Sequence, residues 1–520
     1  MSQNLLNIID KNFIDFKSSE NIEPIKDLIL REIKFFFKKN NNFENDIKLY
    51  LNEKEIVQKT YEIIEIFSSK PLSKIDEISN KLKIENVNLI KLLFVVVRSI
   101  KLFQELIIKK GQGSKYWINI ILPLLKAKSV QNFIEKKAVF PFRVGLFPGV
   151  SCMFECSFCG RNYDAVYNRD YAQKGLDVFK KIIDESPTGD KSRFFLSGGL
   201  EPLTNPYLGS IIDYLKFKNF KASLYTNGYM LTEKYLKKNP SIFSLDSLRI
   251  SFYGVNDKET LSVTKKKNAF KIVTNNIVNY LKLKDELNSK TSFGLNFVIL
   301  KNRSADVLEL FKLVSDLNKS VGNKKNNFNF ITLREDFRIL GDRMDNSEKD
   351  ELIKNIEILE QMKKNDEYLN NIHIDYGFAL EPLKNGFNGN KLESNFASFD
   401  DLKILALPQG RVVVDLYGDV YLFGEAGFLD RPGVKKYILG NLFKEDTLSQ
   451  VIEDFIKNPH KIDFQEGDRD FLDAWDHVAV KLSQQYIDYK YAGINSNEGI
   501  INIEKINELL DSNHNVHFSS

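Results

Sequence analysis

Two rhythms of apolar and polar positions divide the chain. In the first part, apolar residues recur at intervals of three and four: Ile25, Leu28, Ile29, Ile33 and Phe36, then Tyr61, Ile64 and Phe67. That spacing lines them along one side of a helix, so residues 1–138 are expected to form a helical region. Breaks at Lys39–Asn42 and at Pro71 punctuate it. No chemistry is visible there, and packing, covering or dimerising is the expected role.

From Phe142 the pattern changes to short apolar or alternating runs: Phe142–Phe147, Arg193–Ser197, Ala222–Tyr225, Ser247–Phe252, Phe293–Leu300 and Phe328–Leu333. Amphipathic stretches separate them, among them Gly175–Glu185, Tyr207–Lys216, Phe270–Leu287 and Ala305–Leu317. Strands alternating with helices predict an α/β class, as a parallel sheet or a partial barrel, over residues 139–340. In such folds the working residues lie just beyond the C-terminal ends of the strands. A helix over Asn346–Lys364 leads into an expected α+β extension over residues 341–520. It holds strand-like pieces Ile372–Phe378 and Arg411–Phe423, the second divided at Tyr417-Gly418-Asp419 like a hairpin, and closing helices at 447–457 and 501–510.

Composition narrows the class. A chain of 520 residues with three cysteines is no disulfide-stapled extracellular scaffold. A net charge of +4, with the signs mixed along the chain, gives no basic arm or stripe for nucleic acid. The longest apolar stretches, Leu92–Val97 and Ile118–Leu125, are far shorter than the ~18 residues of a membrane span. Asp10 and Lys11 interrupt the N-terminus before an apolar core builds, so no signal peptide is expected and a cytoplasmic location is.

The three cysteines all fall in one window, Ser151-Cys152-Met153-Phe154-Glu155-Cys156-Ser157-Phe158-Cys159, just after the first strand and a Pro148-Gly149 break. Positions 152, 156 and 159 would share one face of a helix, as buried cysteines sometimes do. The preceding Pro-Gly break disfavours a packed helix there. Structural zinc needs a fourth ligand, and the histidines begin only at His373. Three thiolates are better matched to an iron–sulfur cluster with one iron left open.

Cysteines spaced by three and then two residues, with Phe158 just before the last, resemble the radical S-adenosylmethionine (SAM) superfamily. The resemblance implies a partial (β/α)6 barrel and a [4Fe-4S] cluster on Cys152, Cys156 and Cys159, with SAM chelated to the open iron. Phe158 would offer its backbone to the adenine. Strand two ends in Ser197-Gly198-Gly199-Leu200-Glu201-Pro202, similar to the family's glycine-glycine-glutamate-proline motif for SAM's amino group, here with Leu200 interposed. Strand three ends in Thr226-Asn227-Gly228, like the turn near the SAM ribose, and strand four carries Ser251 where the family often has a SAM-facing serine. Plain turns would also use these glycines and asparagine.

The likeness extends to a subgroup of ammonia-lyases in deoxysugar biosynthesis, which act on TDP-4-amino-4,6-dideoxy-D-glucose. It is carried by Tyr116-Trp117, Leu122-Pro123, Val139-Phe140-Pro141, Ser197 to Pro206, Ser251 to Gly254 with Asp257, Arg334-Glu335-Asp336, Ile374-Asp375-Tyr376-Gly377, Val414-Asp415-Leu416 and Glu425-Ala426-Gly427-Phe428. It implies hydrogen abstraction from C3 of a nucleotide-linked 4-amino-4,6-dideoxyhexose, loss of the C4 amine as ammonia, and a 3-keto-4,6-dideoxy sugar as product. It also implies an electron donor such as flavodoxin or ferredoxin.

Candidate substrate contacts are Arg249 and Arg334, whose forks suit a nucleotide diphosphate, and Asp375, Tyr376 and Glu425 for proton transfer or sugar hydroxyls. Each has a plain alternative as an ion-pair or core polar group. With no cysteine after Cys159, no second thiolate-held cluster is expected, which favours a small-molecule substrate over a peptide. Two other readings compete: a radical SAM dehydrogenase or epimerase of another aminosugar, and a non-catalytic iron–sulfur sensor. The sensor would have no use for the turns at 198–202 and 226–228.

Overall fold

A computed structural model of the chain describes residues 22–39, 41–69, 75–100, 129, 132, 135–160, 166–322, 328–335, 344–376, 380, 408–429, 431–445, 447–458 and 476. The expected helix at 501–510 and the motif residues Tyr116, Trp117, Leu122, Pro123, Asp336 and Gly377 lie outside them, as does Pro71. The chain divides into two compact units, residues 1–125 with 482–519, and residues 126–481.

The described part of the first unit is helical: α1 Glu23–Lys39, α2 Asn41–Lys48, α3 Glu53–Ser69, α4 Ile75–Leu82 and α5 Asn86–Ser99. The apolar stripe of α1 packs on α3 and α5, and α4 packs on α5. Ile29, Ile33, Ile63, Ile64, Leu89, Leu92 and Val96 close this core, each at most 2% exposed.

In the second unit the sequence runs β1 Arg143–Leu146, α6 Asp170–Glu185, β2 Phe194–Leu196, α7 Leu208–Phe217, β3 Ser223–Thr226, α8 Glu233–Lys238, β4 Ser247–Phe252, α9 Asp257–Thr264, α10 Ala269–Glu286, β5 Ser292–Ile299, α11 Asp306–Val321 and β6 Phe330–Glu335. Six parallel strands thus alternate with helices, as their patterning predicts. Then follow α12 Asn346–Asn365, β7 His373–Tyr376, β8 Arg411–Val414, β9 Asp419–Tyr421, β10 Ile438–Asn441 and α13 Leu448–Lys457. A reciprocal cap starts α12: Asp345 accepts from the Glu348 N–H at 2.9 Å, and Glu348 accepts from the Asp345 N–H at 3.0 Å.

The strands of the expected extension join the same sheet. Its order is β10-β9-β8-β1-β2-β3-β4-β5-β6-β7. β7 continues the parallel core beyond β6, and β8 pairs in parallel with β1, with Val412 opposite Val144. β9 and β10 complete that side as an antiparallel meander. A bare β1 edge would leave a row of backbone groups unpaired, and β8 covers it. Gly418, at φ +73°, makes the β8–β9 turn, as the Tyr417-Gly418-Asp419 break suggests.

The central strands alternate strictly. Leu196, Leu224, Leu248, Ile250, Phe293, Leu295, Phe297, Ile331 and Leu333 face the helices and are at most 1% exposed. The opposite, inner face carries Tyr225, then Ser247, Arg249 and Ser251, then Ser292, Gly294, Asn296 and Val298, then Phe330, Thr332 and Arg334. A face this polar is suited to lining a working interior.

Candidate functional site

The cysteine window is an irregular loop beyond β1, not a helix, so the shared helical face considered for positions 152, 156 and 159 does not form. Its root is tied to the end of β2. The Thr204 hydroxyl accepts the Val150 N–H at 2.9 Å and the Ser151 N–H at 3.1 Å, and donates to the Glu201 carbonyl at 2.6 Å. The Glu201 N–H donates to the Ser151 carbonyl at 2.9 Å, and the Asn205 amide to the Pro148 carbonyl at 2.8 Å. Further along, Glu155 and Ser157 donate their N–H groups to the carbonyls of Thr264 and Val263 at the end of α9, both at 3.0 Å.

No cysteine is in a disulfide; Cys156 is buried, and Cys152 and Cys159 are partly exposed. Among the described residues no three His, Cys, Asp or Glu side chains converge on a single metal-ion position. All three thiols lie close enough to the Tyr253 hydroxyl to act on its charge. Burial, then Cys156 and Cys152, then Cys159 push that phenol well above its usual range, against a hydrogen bond from Ser251. Three thiols on one loop leave the four-ligand set of structural zinc one short. They match in number the protein ligands of a cubane with one iron left open. Aromatic rings wall the loop: Phe154 lies 5.5 Å from Tyr229 and 6.0 Å from Tyr253, and Phe158 lies 5.5 Å from Tyr253.

Glu201 links the two predicted turns. It is 4% exposed. Its Oε1 accepts from the Leu203 N–H at 3.0 Å and from the Thr226 hydroxyl, and its Oε2 from the Asn227 N–H at 2.8 Å. Burial pushes the carboxyl up despite these three bonds. Only one lone pair, on Oε2, is left for a ligand such as SAM's ammonium. Half of Glu201's bonding capacity therefore goes to holding the Thr226–Asn227 turn, and a further quarter to its own turn at Leu203. Asn227 is oriented in turn: its Oδ1 accepts the Tyr229 N–H at 2.9 Å, and its Nδ2 points at the sulfurs of Cys152, 3.7 Å away, and Met153, 3.2 Å away. Gly198 adopts φ +117°, and a Cβ there would strike the Phe147 ring at 2.1 Å. A Cβ on Gly199 would lie 2.8 Å from the Gly427 carbonyl. Phe158, Gly198, Gly199, Glu201, Thr226, Asn227 and Ser251 are thus gathered around the cysteine loop.

The substrate-side candidates divide. Strand register places Ser251, Asn296, Thr332 and Asp375 in one row on the inner face, with the Thr332 hydroxyl donating to Asp375 at 3.0 Å. Arg334 lies one layer further along β6, partly exposed. Tyr376 departs from expectation: next to Asp375 on a strand, it must face the other way. It does, donating to Glu360 of α12 at 2.7 Å, so it is a packing group outside the site. Glu425 sits on a single turn, Gly424–Ala426, and pairs with Arg431 at 3.6 Å. The Arg431 guanidinium lies against Gly160, beside Cys159, which brings the Glu425 turn to the cysteine loop. Arg249 is 2% exposed.

Two residues escaped the sequence reading as site groups. Tyr253 lies one strand period beyond Ser251, and extending the alternation would have found it. Asp415, 1% exposed, accepts from the hydroxyls of Tyr167 at 2.8 Å and Tyr421 at 3.2 Å, and from the N–H groups of Tyr417 at 2.9 Å and Asp419 at 3.0 Å. Burial first, then the charge of Asp419, push it up to about 7. Because the Tyr167 N–H donates to the Val150 carbonyl at 2.9 Å, this cluster buttresses the cysteine loop.

Among the described residues no helix is long and apolar enough to cross a membrane. The family model of the radical SAM superfamily matches residues 146–314. The chain is 35% identical over 379 residues to the dTDP-4-amino-4,6-dideoxy-D-glucose ammonia-lyase of Streptomyces venezuelae, covering 73% of this chain and 77% of that protein. It is 25% identical over 166 residues to the S-adenosylmethionine-dependent nucleotide dehydratase of Selenomonas ruminantium, covering 32% of this chain and 58% of that one. With a relative this similar matched over most of its length, and with the cysteine loop, the glycine turn and the Thr-Asn-Gly turn assembled at one end of the sheet, the chain belongs to the radical SAM superfamily.

Proposed function

We propose that the protein is a radical SAM ammonia-lyase acting on a nucleotide-linked 4-amino-4,6-dideoxyhexose. It removes the hydrogen atom from C3 and releases the C4 amine as ammonia, and one further electron and a proton, taken up at C4, leave a 3-keto-4,6-dideoxy sugar. The observation that carries this reading is the 35% identity maintained over 77% of an ammonia-lyase's length, well beyond the segment shared by the superfamily.

In this reading Cys152, Cys156 and Cys159 hold a [4Fe-4S] cluster, and SAM rests on the inner face of β3 and β4. When bound, cluster and SAM together supply the electron and the 5′-deoxyadenosyl group that takes the substrate hydrogen. The chain's own residues govern what that hydrogen is. Glu201 fixes the Thr226–Asn227 turn, so the ribose side of SAM meets a preset surface. Ser251 and Tyr253 mark the level of the reacting atoms, and the row Asn296, Thr332 and Asp375 offers donors and acceptors to sugar hydroxyls and the amine. Such positioning selects one C–H bond among several similar ones. The Phe154, Phe158, Tyr229 and Tyr253 rings keep water from the reactive end. A flavodoxin or ferredoxin would provide the electron.

The test is anaerobic reconstitution followed by incubation with SAM, a reductant and TDP-4-amino-4,6-dideoxyglucose. 5′-Deoxyadenosine, ammonia and a keto sugar are the expected products. 5′-Deoxyadenosine with an oxidised or epimerised sugar and no ammonia would refute the lyase assignment.

A further inference from the structure

Among the described residues, the largest side chain enclosed in the core is a cation. Arg249, on the inner face of β4, is 2% exposed. Its guanidinium lies 5.0 Å from the centre of the Tyr225 ring and 4.8 Å from that of Phe330. Strand register explains this stack: Tyr225, Arg249, Gly294 and Phe330 form one row across β3, β4, β5 and β6. Gly294 contributes no side chain, and a Cβ there would fall 2.4 Å from the Phe330 ring. The missing side chain lets that ring lean over β5 onto the guanidinium.

Nothing among the described residues neutralises the charge. Arg249 Nε and Nη1 are sealed from solvent and have no hydrogen-bond partner. Ser292 Oγ and Asn296 Oδ1, on the same face of the neighbouring strand, are sealed and unpartnered too. A buried, unpaired charge is among the costliest features a core can carry, and two ring faces offset only part of that cost. Buried polar atoms left without partners are rare enough to require an explanation. A guanidinium without partners, with one further unpartnered polar atom in the layer on either side of it on the neighbouring strand, is a set that an anion would complete. A guanidinium fork is shaped for phosphate oxygens.

We propose that Arg249 receives the diphosphate of the nucleotide-sugar substrate on the inner face of β4. The proposal rests on the nucleotide-sugar reading above and adds to it the group that is recognised and its position. Arg249 lies two residues before Ser251 on β4, about 7 Å lower along the strand. With C3 of the hexose at the level of Ser251 and Tyr253, a diphosphate on C1 descends toward Arg249. The charge that is unpaired without substrate is then paired with it, and the sugar is held at a fixed depth.

Calorimetric titration of the full-length, cluster-reconstituted protein with dTDP, with thymidine as the uncharged control and with SAM separately, tests this. The wild type should bind dTDP far better than thymidine. Arg249→Met should weaken dTDP binding by about tenfold or more, the scale of a lost charge-assisted contact, and leave SAM affinity unchanged. Arg249→Lys should recover part of the loss. Ligand-free Arg249→Met should melt at or above the wild-type temperature, and dTDP should raise the melting temperature of the wild type alone. Equal dTDP affinity in wild type and Arg249→Met would overturn the proposal while leaving the nucleotide-sugar reading intact. So would a loss confined to SAM, which would make the bound anion SAM's carboxylate. A ligand-free Arg249→Met protein melting well below wild type would make Arg249 a packing residue and also overturn it. A wild type that fails to bind dTDP would overturn this proposal and the nucleotide-sugar reading together.

Discussion

Replacing Asp415 by asparagine should make the protein more stable, and by more in mild alkali than in mild acid. The carboxyl is 1% exposed and is carried from 3.8 to about 7, chiefly by burial and then by Asp419. A shift of that size links about 4 kcal/mol of stability to the proton. The folded chain retains a proton that the unfolded chain releases. The contribution is therefore complete below about pH 4 and is lost as pH rises through about 7. Asparagine is never charged, and its amide fits the same partners. Its Oδ1 can accept from the N–H groups of Tyr417 and Asp419, which already bond Oδ1 of the aspartate. Its Nδ2 can donate to the hydroxyls of Tyr167 and Tyr421, which need only rotate their protons. Anaerobic thermal melts followed by circular dichroism at pH 5.5 and 8.0 would measure both proteins. Wild type should lose several degrees between the two values, and Asp415→Asn should lose markedly less. Parallel losses in the two proteins, or an asparagine variant melting below wild type at pH 8.0, would refute the reasoning.

Asn227→Leu removes the amide donor aimed at Cys152 Sγ; hydrogen bonds to cluster sulfurs favour the reduced state, so the reconstituted cluster should titrate at a more negative potential. An unchanged midpoint in a redox titration followed by electron paramagnetic resonance would contradict that. Thr204→Val keeps the shape but leaves the Val150 and Ser151 N–H groups without their acceptor. A loss of about 2–4 kcal/mol in denaturant unfolding and a lower iron content after reconstitution are expected. Tyr376→Phe, on the helix side of β7, forfeits one hydrogen bond to Glu360 and about 1 kcal/mol of stability. Its turnover should match wild type, and a tenfold fall in kcat would return Tyr376 to the site.

What was legible in the residues is what local rules encode. The strands show because an apolar helix-facing side and a polar inner side alternate along each, and this alone placed Arg249 and Ser251 on one face. Gly418 marked its hairpin because the turn needs a positive φ. The same parity should have separated Asp375 from Tyr376, since neighbours on a strand point apart. The row Ser251, Asn296, Thr332 and Asp375 was not legible, because it depends on how far each strand slides against the next. Nor was the pairing of β8 with β1, for which the intervening sequence carries no local mark. β10, with its Gly440 and Asn441, is too short and too weakly patterned to announce itself.

The position of β8 beside β1 sets a timetable for the newborn chain. All three thiols have been synthesised by residue 159, yet the strand that presents them gains its second neighbour only when residues 411–414 emerge. The Phe147 N–H waits for the Val414 carbonyl, Tyr167 for Asp415, and Gly160 for Arg431. Contacts spanning so much sequence form late. A ribosome stalled before residue 411 would therefore display the cysteines on an unsupported loop. Iron delivered then would meet the cysteines without their walls, so a cluster held by them would be loaded only once residues 411–431 have emerged and the late strands have closed over the first.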